Sequence, residues 1–166
     1  MDCELKNPRG KNVYRNIIKI HQAKNEGRLD GTHIAIPLII YDLPNMKYTI
    51  EIRQKDLYQT IISNEDSKLI ENYRMNIIKQ IYYGLKDLYK IQMIHADLKP
   101  ENILIILDED TVHLQLTDFD DSLFFDEINN DIVMRGSLKY VDPLTFNRTP
   151  FYSGTNKRDY ISYMTN

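Results

Sequence analysis

Four chemically capable side chains, His95, Asp97, Lys99 and Asn102, fall within residues 95–102, between the apolar shoulders Met93-Ile94 and Ile103-Leu104-Ile105. Pro100 stands among them and breaks any helix that would otherwise run through, so the stretch reads as a loop that presents polar groups. Loops held by a rigid scaffold are where binding and catalytic groups concentrate. Beyond it, Ile103 to Leu107 and Val112 to Thr117 are β-rich segments joined by Asp108-Glu109-Asp110-Thr111, the pattern of a hairpin. Such a hairpin brings Asn102, at the start of one strand, near Asp118, at the end of the other. Asn and Asp oxygens suit Mg²⁺, a hard cation that takes few protein ligands and keeps places for water and phosphate.

The elements that must position this loop can be read on either side of it. Residues 1–12 are polar, with Pro8 and Gly10 marking a loop, and Val13 to Lys24 reads as a short helix with Val13, Ile17, Ile18 and Ile20 on an apolar face. Asn25 to Thr32 reads as a turn. Ile34 to Tyr41 and Lys47 to Ile52 read as an antiparallel strand pair joined at Asp42-Leu43-Pro44-Asn45. Asp56 suits the cap of a short helix through Ile62. A longer helix from about Lys68 to Lys90 carries Ile70, Tyr73, Ile77, Ile78, Ile81, Leu85, Leu88 and Tyr89 at threes and fours, the spacing of one buried stripe. Gly84 inside it costs roughly 1 kcal/mol relative to alanine, so a close neighbour is expected to need the space. Residues 119–136 read as a mobile loop.

Composition narrows the function classes. The 166 residues suit one domain, and 42% hydrophobic with 27% charged residues is a globular balance. A net charge of -3 argues against a general nucleic-acid binder, which needs a basic footprint. Cys3 is the only cysteine, which rules out an intrachain disulfide framework and fits a reducing, intracellular, cytoplasmic setting. No apolar run approaches the roughly 18 residues of a membrane span, and the N-terminus lacks the apolar core of a signal peptide. Neither a nucleic-acid nor a membrane partner is therefore expected.

His95-Ala96-Asp97-Leu98-Lys99-Pro100-Glu101-Asn102 resembles the catalytic loop of eukaryotic-type protein kinases, and Asp118-Phe119-Asp120 is similar to their Asp-Phe-Gly motif. Gly84 to Tyr89 is similar to the end of the helix that precedes that loop. Gly136 to Pro143 resembles the end of the activation segment, and Asp159-Tyr160-Ile161-Ser162 the start of the following helix. The resemblance implies an α+β, protein-kinase-like fold within a single partial domain spanning 1–166. Residues 13–54 would be an N-lobe remnant and hinge, with one helix and a strand pair. Residues 55–166 would be an incomplete, mainly helical C-lobe with a β-hairpin. It implies ATP and Mg²⁺ as cofactors, Asp97 as the base that orients a substrate hydroxyl, and Lys99 against the transferred phosphoryl group. Asn102 and Asp118 would hold Mg²⁺. Glu51 and Arg53 would mark the hinge that grips adenine, Leu104 the floor of its pocket, and Glu101 would belong to the same nucleotide site. His95 would brace the loop and Asp159 anchor it, while His21, His33 and His113 lack metal-ligand spacing and read as surface or packing residues.

Departures from the family pattern keep a second function class open. No glycine-rich phosphate loop is found, no Val-Ala-Ile-Lys-like strand is expected before the first helix, and no glutamate occurs from Leu5 to Asn25. Ala96 replaces the arginine that reads activation-loop phosphorylation in many kinases, Asp120 replaces glycine, and Leu144 replaces a glutamate. The match implies a domain truncated at both ends, with surfaces that favour association. Two readings follow: a serine/threonine kinase acting on a protein substrate, or a catalytically weak or inactive kinase-like module that binds and regulates a partner protein.

Overall fold

The computed structural model describes residues 3–6, 11–43, 46–52, 54–63, 67–108, 111–127 and 136–140. In chain order the elements are β1 (Cys3–Lys6), α1 (Lys11–Asn25), β2 (Ile39–Leu43), β3 (Met46–Ile52), β4 (Lys55–Asp56), α2 (Leu57–Ile62), α3 (Ser67–Lys90), β5 (Met93–Ile94), β6 (Ile103–Asp108), β7 (Thr111–Leu116) and β8 (Leu123–Phe124). An α+β, protein-kinase-like arrangement results, with helices set against three small antiparallel sheets among the described residues.

The first sheet has the order β1-β3-β2, so among the described residues the N-terminal part holds three strands and not a pair. The expectation that no strand precedes the first helix is overturned. Cys3 to Lys6 pairs with Ile52 to Thr49, using the edge of β3 that β2 leaves open. Four residues suffice, because β3 is already ordered by its pairing with β2 (Leu43 opposite Met46, Ile39 opposite Ile50) and presents a ready edge. Pro44 and Asn45, where the tight connection was expected, lie outside the described residues.

The second sheet, β4-β6-β7, forms the floor of the loop. Its hairpin register sets Ile103 opposite Leu116 and Asp108 opposite Thr111. Alternation along β7 buries Val112, Leu114 and Leu116 and turns Thr111 and His113 outward, the period-2 pattern of a half-covered strand. α3 covers the buried face. Asp56 caps α2 as expected, its Oδ1 accepting the Gln59 N–H at 2.7 Å.

α3 departs from the expected stripe in an instructive way. Ile77 and Leu88 are buried, but Ile78 is 52% and Tyr89 68% exposed. The buried row runs Ile77, Gln80, Gly84, Asp87 and Leu88, so two polar residues and a glycine occupy places that apolarity alone would not select. Gln80 is accommodated because its amide satisfies β7: Oε1 accepts the Leu114 N–H at 2.8 Å and Nε2 donates to the Val112 carbonyl at 2.5 Å. Gly84 lies where the helix presses on β7. A Cβ there would sit 2.9 Å from Leu116 Cγ and 3.0 Å from the His33 carbonyl oxygen.

One apolar core joins these layers. Ile20, Ala23 and Leu29 meet Ile34, Ile77, Leu88, Met93, Ile103, Leu114, Leu116, Phe119 and Phe124, and each fully buried aliphatic side chain contributes roughly 1.5–3 kcal/mol. Residues 119–127 do not form the loose loop expected of them: Leu123 and Phe124 pair with Ile94 and Met93, and the Phe125 N–H donates to the Gln92 carbonyl. Alternation was too short there to read, and pairing with β5 supplies the order. Residues 128–135, the tail from 141 and Asp159 lie outside the described residues. Among the described residues, no helix is long and apolar enough to cross a membrane.

Gly84→Ala should lower stability although alanine favours helix by about 1 kcal/mol. Forcing Leu116 and the His33 main chain apart typically costs about 1–3 kcal/mol. The expected result is a reduced urea midpoint with an unchanged slope, and a raised midpoint would refute the close-packing account.

Candidate active site

The loop that carries the polar residues hangs between β5 and β6 and closes with a short 3-10 turn, Pro100–Asn102. Its centre is the Asp97 carboxylate, which is 8% exposed. Oδ1 accepts the Ser137 N–H at 2.5 Å, and Oδ2 accepts from Lys99 Nζ at 2.6 Å and from Asn102 Nδ2 at 3.0 Å. A carboxylate offers about four acceptor positions. These three donors, with the Ser137 hydroxyl acting on the same carboxylate, fix its orientation.

Lys99 also donates to Ser137 Oγ at 2.8 Å. Burial alone would raise the Asp97 carboxyl, but the bonds from Lys99 and Ser137 outweigh it and hold the group below the ordinary carboxylate range. The bond to Asp97 in turn raises Lys99, with the charges of Asp118 and Glu101 adding to it. The pair is therefore an ammonium and a carboxylate at neutral pH. Glu101 itself is exposed on the turn.

Asn102 is 4% exposed and spends its amide nitrogen on the Asp97 carbonyl, at 2.9 Å, as well as on the carboxylate. The amide oxygen, which a hard cation would take, lies at the other end of the group. The Thr117 N–H donates to the Asn102 carbonyl at 3.0 Å, so the hairpin brings Asn102 beside the residue that precedes Asp118. Asp118 is exposed and has φ of 62°. One amide oxygen and one carboxylate, with open space around the latter, fit a cation that completes its shell with water and phosphate. Among the described residues no three His, Cys, Asp or Glu side chains converge.

His95 is the strut under this arrangement. It is 2% exposed, its Nε2 lies 2.9 Å from the Thr117 carbonyl and its Nδ1 accepts the Asp97 N–H at 3.4 Å. A carbonyl can only accept, so the tautomer is the neutral one protonated on Nε2. Ser122, fully buried, adds a bond from Oγ to the His95 carbonyl at 2.9 Å. The bracing role expected for His95 matches this geometry. His33, expected on the surface or in packing, stacks on Tyr83 at 5.8 Å between ring centres.

The remaining expected residues are more widely spread. Leu104 turns away from the core and lines a cavity of about 200 Å³ with Ile36, Leu38, Gln54 and Gln115. Glu51 lies inside β3, opposite Glu4 on β1. Arg53 lies outside the described residues. The sequence marks Gly136 and Ser137 only as part of a longer segment. Gly136 has φ of 89°, and a Cβ there would collide with the Ala96 carbonyl oxygen, so glycine is what lets this segment reach Asp97. Nothing in the local sequence marks Ser137 as a partner of Asp97, since 40 residues separate them.

The sequence profile described as protein kinase domain matches residues 14–162. Among curated proteins, the chain is 27% identical over 128 residues to a calcium and calcium/calmodulin-dependent serine/threonine-protein kinase of Lilium longiflorum, covering 77% of this chain and 21% of that protein. It is 28% identical over 123 residues to the serine/threonine-protein kinase PTK2 of Candida glabrata, covering 73% and 15%. A third relative, the serine/threonine-protein kinase atg1 of Dictyostelium discoideum, is 35% identical over 81 residues, covering 49% and 12%. The chain thus spans about a fifth or less of the length of these relatives.

Because burial pushes His95 below the ordinary imidazole value, stability should depend on pH in a defined window. The ordinary value is about 6.5. Above it both folded and unfolded chains hold the imidazole neutral and the contribution is complete. Below it the unfolded chain binds the proton first, so stability falls as pH drops, by at most about 1.4 kcal/mol per pH unit for one proton. Urea unfolding at pH 5.5 and 7.5 should show the loss in the parent protein and a smaller loss in His95→Asn. Equal slopes in both proteins would remove His95 as the cause.

Proposed function

The chain belongs to the protein kinase domain family, and from that premise we propose that it is a serine/threonine kinase domain, transferring the γ-phosphoryl group of ATP to a protein hydroxyl. The observation that carries this reading is the buried Asp97 carboxylate, anchored by Ser137 and Asn102 and set beside the Lys99 ammonium. Asp97 would receive the proton of the substrate hydroxyl as its oxygen bonds to the γ-phosphorus and the bond to the ADP oxygen breaks. A carboxylate held below its ordinary range is a weak base. That suits a loose transition state in which positioning and charge matter more than early proton removal. Lys99 would sit against the transferred group, where an ammonium offsets the charge that builds on its oxygens.

Asn102 and Asp118 would hold Mg²⁺, which when bound neutralises charge on the nucleotide phosphates. Leu104, with the cavity beside it, and the main chain at Glu51 and Arg53 would take the adenine. Glu101 would stand at the rim of the same site. Lys6, the last residue of β1, stands on the strand before α1, and kinases carry a phosphate-pairing lysine on an N-lobe strand of this kind. We assign Lys6 to that role. The second reading, a module that binds a partner without catalysis, is favoured by one observation: α1 has no glutamate to pair with such a lysine.

A phosphotransfer assay with Mg²⁺-ATP and a mixed Ser/Thr peptide substrate separates the two. Asp97→Asn and Asp118→Asn should each lower the rate by about 10²–10⁴-fold, the range for losing a proton acceptor or a preorganised charge. A parent rate no higher than that of Asp97→Asn would favour the binding module. Lys6→Ala should raise the KM for ATP more than tenfold under the kinase reading, and an unchanged KM would withdraw that assignment alone.

A further inference from the structure

The helix without a glutamate is not idle. Asn16 is fully buried on α1, and its Nδ2 donates to two carbonyls, those of Phe119 and Ser122, each at 2.9 Å. Its Oδ1 accepts from Arg15 Nη2 at 3.2 Å. One amide thus bridges 103 residues of sequence to grip the main chain immediately after Asp118. Its neighbours add to the hold. Arg15 pairs with Glu127, whose Oε2 accepts the Phe124 N–H at 2.9 Å, and Lys19 Nζ stands 3.9 Å above the Phe124 ring.

We propose that α1 positions the Asp118 carboxylate through this clamp, with Asn16 as its central positioning residue. The physical argument runs through the backbone. Asp118 has φ of 62°, a left-handed conformation that is unfavourable for a non-glycine residue and persists only when its surroundings impose it. On its N-terminal side the Thr117 carbonyl is held by His95 and the Thr117 N–H by Asn102. On its C-terminal side the next carbonyl, that of Phe119, is held by Asn16. The carboxylate is therefore aimed from both directions, and the second anchor comes from a different element than the loop. A neutral amide does this without needing a charged partner from β1, so the geometry of the cation ligand does not depend on an ion pair between helix and strand.

The inference rests on the phosphotransfer reading, and nucleotide binding with and without Mg²⁺ tests both separately. In the parent protein Mg²⁺ should tighten ADP binding, and Asp118→Asn should abolish that gain. Asn16→Asp, nearly isosteric but unable to donate when ionised, and Asn16→Leu should each reduce the Mg²⁺-dependent gain at least tenfold, with metal-free ADP affinity changed less than twofold. Amide hydrogen exchange at residues 119–124 should rise in both variants without nucleotide present. Should neither variant fold, the half-buried pair Arg15→Ala with Lys19→Ala loosens the same clamp and should cut the gain about threefold. Loss of the gain in Asp118→Asn but its retention within twofold in the clamp variants would overturn the positioning role and leave the kinase reading standing. No Mg²⁺-dependent gain in the parent would overturn the kinase reading and the inference with it.

Discussion

A neutral imidazole buried between two chain segments sets the geometry on which the rest depends. His95 spans the start of the polar loop and the strand end before Asp118, with Nε2 toward the Thr117 carbonyl and Nδ1 toward the Asp97 amide. Each ring nitrogen has a single chemical sense in that position, one donating and one accepting. A second proton on the ring would turn the accepting nitrogen into a donor facing another donor. The two halves of the site are thus tied by a part that tolerates only one protonation state. Phe119 packs on the same ring at 5.3 Å between centroids, so the strut is held by apolar contact as well.

Around that strut the backbone is held in unfavourable conformations where chemistry would need them. Ala96 and Asp118 both have positive φ, at 65° and 62°, and Gly136 approaches the Ala96 carbonyl closely enough to exclude any side chain. Each such residue costs free energy that neighbouring packing must offset. The offset is visible in satisfied buried polar groups: Ser122 on the His95 carbonyl, Asn102 on the Asp97 carbonyl, and Asn16 on two carbonyls beyond Asp118. Under the proposed function, a site built this way would be preorganised.

The same logic explains why polar residues lie in places that periodicity assigns to apolar ones. Gln80 on α3 and Asn16 on α1 are buried because each satisfies main-chain groups of another element, at the edge of β7 and after Asp118 respectively. Conversely, Ile78 and Tyr89 fit the spacing of the buried stripe of α3 and stand outside it. A helix advances about 100° per residue, so of two adjacent apolar residues only one can face the sheet squarely. Residue type alone does not say which.

By itself the sequence determined the polar loop, the hairpin after it, the long helix before it and the short capped helix at Asp56, because each is written in local terms: a proline, a two-residue alternation, a 3.6-residue period, a capping side chain. It also determined which residues could be brought together at the loop, since Asp97, Lys99 and Asn102 are close in sequence and the hairpin returns the chain to Asp118. Only the tertiary structure decided the pairing of Cys3 to Lys6 with β3, the order in residues 119–127, the bond between Ser137 and Asp97, and the grip of Asn16 on the chain after Asp118. All four join segments far apart in sequence. Their free energy comes from an open strand edge, a buried carbonyl or a charge already fixed by other elements, and no local pattern of residues records that such a partner will be waiting.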